Sequence, residues 1–118
     1  MNNLEQFFSS IGAKADAVVN RLGGNPELVV RFLSKFRSDS SFADLSDALA
    51  KGDTDTAFRA AHTLKGVCAN LGFDNLFEKA SSVTELLRGG DLDSAKQAFP
   101  ELTEEYQKTI DALDRCGL

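Results

Sequence analysis

The chain holds one histidine, His62, inside the stretch AAHTLKGVCANLG at residues 60–72. With an unperturbed pKa of about 6.5, an imidazole offers a neutral nitrogen nucleophile near pH 7. Lys65 follows it by three residues and Gly66 by four. On a helix those spacings put the three residues next to one another on one face. At about 100° per residue, Phe58, Arg59, Lys65, Gly66 and Ala69 all fall within about 60° of His62 around the helix axis. The opposite side carries Ala57, Ala60, Ala61, Leu64, Val67, Cys68 and Leu71, a complete apolar face that does not need the histidine. His62 is therefore expected to point outward with a cation one turn away. A nucleophile beside a positive charge suits transfer of an anionic group, because the ammonium meets oxygens on which negative charge builds up. Arg59, three residues before His62, is a candidate second cation.

A solvated histidine next to a solvated lysine would show the same spacing, and Gly66 separates the two readings. Glycine in a helix interior costs roughly 1 kcal/mol relative to alanine. An exposed face gains nothing from that cost, except that the missing Cβ lets a bulky group come close beside the imidazole. Phe58 has two readings: packed back under the preceding long helix, or exposed as an apolar anchor for a partner, since interface cores favour aromatic side chains.

The elements that must hold this face read as helices throughout. No stretch alternates polar and apolar residues long enough to make a strand, while Asp, Asn, Gly and Pro fall where helices start and stop. A short helix ends at Gly12 and another is closed by Gly23 and Gly24. Asn25, Pro26 and Glu27 form a strong start signal. The helix they open carries Leu28, Phe32 and Phe36, then Leu45 and Leu49, and is expected to run on through the weak spot SDSS at 38–41. Asp53 is read as the cap of the helix with His62, which ends at Gly72. Asp74 is read as the cap of a fourth long helix with Leu76, Ala80, Val83 and Leu87 inward. Asp91 opens the last, whose seam is Leu92, Ala95, Phe99, Leu102, Tyr106, Ile110 and Leu113, with Pro100 expected to interrupt and kink it. Four long helices on short loops imply an all-α, antiparallel up-down-up-down four-helix bundle. A short N-terminal helix is expected to cap one end, and residues 1–118 to form a single domain.

Composition narrows the function. The chain has 118 residues, is 42% hydrophobic and 26% charged, and carries a net charge of −5. That balance argues against nucleic acid, whose phosphates call for a basic face. Cys68 falls mid-helix and reads as a small core residue. With one histidine and two distant cysteines, no zinc ligand set can be assembled. No segment reaches the ~18 apolar residues of a membrane span, and the opening MNNLEQFF shows no signal peptide. The protein is expected to be cytoplasmic and monomeric. There is no Gly-rich phosphate loop and no acidic pair beside His62, so neither ATP nor Mg²⁺ has a place here.

The stretch AHTLKGVCANLG resembles the histidine phosphotransfer (HPt) motif, in which His-x-Leu-Lys-Gly precedes small residues and a glycine at the helix end. GGNPELVVRFLSKF and LAKGDTDTAFRAAH before it, and GFDNLFEKASSVTELL after it, are similar to the family too, so the resemblance covers roughly residues 14–113. Val67 and Cys68 stand where small residues are usual, but both lie on the core face. The resemblance implies that His62 accepts a phosphoryl group from an aspartate of a response-regulator receiver domain and passes it to another receiver. Lys65 and Gly66 would help, and Phe58, Arg59 and Ala69 would meet the partner. No cofactor of its own is implied; Mg²⁺ would come with the receiver. The implied protein is a phosphoryl carrier without kinase activity of its own. The start at Met1 and the finish at Leu118, soon after the last helix, favour a free-standing protein, with a domain of a hybrid sensor histidine kinase as the alternative. FRAAH is also similar to the phosphotransfer domain of chemotaxis-type kinases, and a receiver-docking module that carries no phosphate is a further alternative.

Overall fold

A computed structural model describes residues 3–118, and every regular element among them is a helix. In chain order these are α1 (Asn3–Ser10), α2 (Ala15–Arg21), α3 (Pro26–Ser38), α4 (Ser41–Lys51), α5 (Thr54–Leu71), α6 (Asp74–Arg88) and α7 (Leu92–Arg115). None of them is long and apolar enough to cross a membrane.

Side-chain caps set the starts of α3, α5 and α7. The Asn25 side chain accepts from the Glu27 and Leu28 amides, with Pro26 at the first helical position. Asp53 accepts from the Thr56 amide at 3.1 Å and from its hydroxyl at 2.7 Å. The hydroxyl bond, then the amide bond, holds the Asp53 carboxyl below the usual carboxylate range. Asp91 caps α7 through the Ser94 amide. Asp74 is not a cap. It is the first residue of α6, and Phe73 takes the cap position without a side-chain hydrogen bond. Phe73 is held there by its ring, which is buried edge-on between Phe7 at 5.7 Å and Phe36 at 5.0 Å.

The expected continuity through residues 38–41 fails, and the chain breaks into α3 and α4 at Asp39 and Ser40. The Asp39 carboxylate accepts from the Ser41 amide and hydroxyl, and Ser40 donates to Asp44 at 3.0 Å. Short polar side chains that bond the local backbone compete with the helical ladder, and here they win. The break lets α3 turn its own face inward. Val29, Leu33 and Phe36 are buried, whereas Leu28 and Phe32 are only half-buried. In α7 the expected seam is likewise shared out: Ala95, Leu102 and Leu113 are buried, and Leu92, Phe99, Tyr106 and Ile110 half-buried. Pro100 is exposed and does not end α7, which runs from Leu92 to Arg115 as one helix.

Helix α5 is central. It packs against α4 on one side and α6 on the other, while α6 packs on α7, and α4 and α7 also touch. A chain of rings ties the outer elements together. Phe36 meets Tyr106 at 5.7 Å, and Phe42 stacks on Tyr106 at 4.0 Å and on Phe99 at 5.4 Å. Helix α1 buries Leu4, Phe7 and Phe8, and contacts α2 and α7. Both cysteines are free thiols, and burial, with Asp39 adding to it, pushes the Cys68 thiol up to about 12. Cys68 is a packing residue.

The end of α5 depends on Gly72, which lies at φ +72° in the left-handed region. A Cβ built there would sit 2.4 Å from Cγ2 of Val18, which is itself buried in the core. Gly72→Ala is therefore expected to lower stability by about 2 kcal/mol or more, through left-handed strain plus the clash. Urea unfolding of the variant measures this. A midpoint equal to that of the unaltered protein would show that α2 does not close on the end of α5.

Candidate functional site

The alanine-rich side of α5 is the side that packs. Ala57, Ala60, Ala61, Leu64, Cys68 and Leu71 are buried, and Val67, on the edge of the same side, is half-buried. With that face committed to the core, the other side of the helix is turned to solvent, and His62 is exposed on it.

Around the imidazole, α5 and α6 contribute side chains in matched pairs. The Phe58 ring lies 5.9 Å from the His62 ring, and the Arg88 guanidinium of α6 sits 4.9 Å over Phe58. One turn further along α5, the Lys65 ammonium lies 5.8 Å over the ring of Phe77, also from α6. The two pairings run in opposite senses along the two helices, as a hairpin turning at Gly72 and Phe73 requires. Each holds a cation against an aromatic face, an attraction of about 0.5–1 kcal/mol at exposed sites. Phe58, Arg59, His62, Thr63 and Arg88 line one open hollow.

The other residues singled out from the sequence are distributed around this point. Lys65 is half-buried, and no ion pair to it occurs among the described residues. Arg59 is exposed and makes a long contact, 3.5 Å, to the Thr56 hydroxyl. Phe58 is half-buried, packed against the core while it also borders the hollow. Ala69 is exposed, and its carbonyl accepts from Arg21 of α2, which also donates to the Asn70 carbonyl at 3.3 Å. Gly66 is exposed, and a Cβ built on it would meet nothing within 4 Å. Internal packing thus gives no reason for a glycine at 66.

Arg88 and Phe77 were not singled out from the sequence. Arg88 precedes Gly89 and Gly90 and reads there as an ordinary basic residue in a last helical turn. Counting outward from the turn at Gly72 along both helices would have brought it opposite Phe58.

A family model described as the Hpt domain matches residues 27–115 of the chain. The chain belongs to the Hpt domain family. No curated protein and no solved structure gave a match to it. Hpt domains work in phosphotransfer within phosphorelay signalling and interact with response-regulator receiver domains. The match begins just inside α3, so α1 and α2 lie outside it.

The open space at Gly66 gives a direct expectation for this Hpt domain. Gly66→Ala should stabilise the free protein by up to about 1 kcal/mol, since its Cβ meets nothing within 4 Å, and Gly66→Leu should still fold, since the position is exposed. Thermal unfolding monitored by circular dichroism checks both. Loss of helix in Gly66→Leu would mean that the glycine serves packing.

Proposed function

We propose that His62 is the phosphoacceptor of this Hpt protein, and that the chain carries a phosphoryl group from the aspartate of one receiver domain to that of another. The observation that supports this most is the outward imidazole beside Gly66, on a face where neither is needed for packing. In the transfer, the lone pair of one ring nitrogen attacks phosphorus. The N–P bond forms as the P–O bond to the receiver's aspartate breaks, and that electron pair returns to the carboxylate. Return transfer to a second receiver is the same exchange reversed.

In this reading Lys65 answers the charge on the transferring oxygens, an interaction that counts most when it is stronger in the transition state than before it. Phe77 keeps the ammonium close to the surface and away from carboxylates. Gly66 leaves clearance for the receiver's loops, which bring Mg²⁺ and the reacting aspartate. Phe58, Arg59 and Ala69 border the area that the partner covers, and the cations on it suit a receiver's acidic pocket. The carrier is taken to be a cytoplasmic monomer of one domain, its four long helices arranged up-down-up-down with α1 across one end. It has no kinase activity of its own and binds no nucleic acid.

Mixing the protein with a phosphorylated receiver tests the assignment. Label should appear in an acid-labile, alkali-stable form and be absent from His62→Gln. Label on the His62→Gln protein would sink the reading, and label only from an ATP-bound kinase would favour a kinase-linked role. Lys65→Ala should slow single-turnover transfer at saturating receiver while leaving receiver affinity nearly unchanged. Equal losses in rate and affinity would make Lys65 a docking residue.

A further inference from the structure

We infer that Arg88 is a second phosphoryl-binding cation of the His62 site, supplied across the helix pair from α6. The inference rests on the proposal that His62 accepts phosphate, and adds a residue that lies outside the His-x-Leu-Lys-Gly motif.

Three features of its placement carry it. Arg88 borders the same hollow as His62, and the Phe58 ring contacts both. The hollow holds about 360 Å³, room for several water-sized groups of ~30 Å³ each, and so for a phosphoryl group. Second, the guanidinium is only half tied down. Nε donates to Glu85 at 2.9 Å, whereas neither Nη1 nor Nη2 makes a hydrogen bond among the described residues. That leaves the terminal edge of the fork, the geometry that matches two oxygens of a phosphoryl group.

Third, both present tethers are weak. The Arg88 and Glu85 side chains are 53% and 56% exposed, and an exposed ion pair contributes ~0–1 kcal/mol. A doubly charged phosphoryl group arriving on His62 competes well against one solvated carboxylate. The Phe58 face lets the guanidinium pivot without leaving the surface. Phe58 is then a positioning residue for Arg88, as Phe77 is for Lys65, and the two cations reach the imidazole from opposite ends of the face. Arg88 takes no part in the bond changes: the N–P bond forms and the P–O bond to the receiver's aspartate breaks as before, with Arg88 holding non-bridging oxygens.

The test uses the full chain phosphorylated with phosphoramidate, a small phosphoryl donor, so that labelling needs no receiver. A cation beside the phosphoryl group favours its dianion, so the ³¹P resonance of phosphorylated Arg88→Gln should titrate at higher pH than that of the unaltered protein. Lys65, Arg59 and Glu85, the other charged groups near the hollow, are the same in both. Single-turnover transfer to a receiver at saturation should fall ~10-fold in Arg88→Gln, with receiver affinity unchanged and with part of the rate restored in Arg88→Lys. An unchanged titration and rate would overturn the proposal, as would a loss confined to receiver affinity or a variant that unfolds. If the unaltered protein also takes no label on His62, the phosphoacceptor reading itself has failed and this inference falls with it.

Discussion

The rotation of α5 about its own axis is the constraint on which the site depends. Its buried side is built almost wholly from small residues, Ala57, Ala60, Ala61 and Cys68, with Leu64 and Leu71 as the larger members. Small side chains let α4 and α6 close on it from both sides, and close packing leaves no second rotation of comparable energy. Turning the helix by one residue would expose Leu64, a loss of about 1.5–3 kcal/mol for that side chain alone. It would also carry the imidazole toward an interior that holds no partner for it. The direction in which His62 points is thus decided by residues that never touch the chemistry.

The same economy runs through the surroundings. Gly72 ends α5 in a left-handed turn against Val18, and Phe73 plugs the turn into the aromatic cluster formed with Phe7 and Phe36. This fixes where α6 begins, and therefore which α6 residues come opposite which α5 residues. Phe77 falls beside Lys65, and Arg88 beside Phe58. Positive charge is thereby held along the His62 face of a chain whose net charge is −5. Both cations rest on rings, and the one ion pair among them, Arg88 with Glu85, is solvent-exposed, so they stay available to an incoming anion.

Most of this was legible in the sequence, for reasons that differ from place to place. Helix starts at Asn25, Asp53 and Asp91 were readable because capping is a local interaction that a single polar side chain completes. The inward face of α6, with Leu76, Ala80, Val83 and Leu87, was readable because its apolar spacing admits one solution. The break at Asp39 was misread because periodicity on both sides masked a stretch in which Asp39, Ser40 and Ser41 bond locally. On α3 Phe36 was assigned inward correctly, whereas Leu28 and Phe32 were taken in place of the buried Val29 and Leu33, each one residue on. Phe73 displaced Asp74 from the cap position for a tertiary reason, the pocket between Phe7 and Phe36, that no local pattern contains. At the site, the α5 residues followed from helical spacing alone. Arg88 required knowing how two helices are paired.

The central claim is that the single imidazole of this Hpt protein carries the phosphoryl group. Because the chain has one histidine, protein labelled with ¹⁵N only in histidine reports on that ring and nothing else. After reaction with a phosphorylated receiver, one ring nitrogen of His62 is expected to shift and to show coupling to ³¹P, and to lose both on transfer to a second receiver. A protein that takes up phosphate while its imidazole resonances stay unchanged would contradict the account.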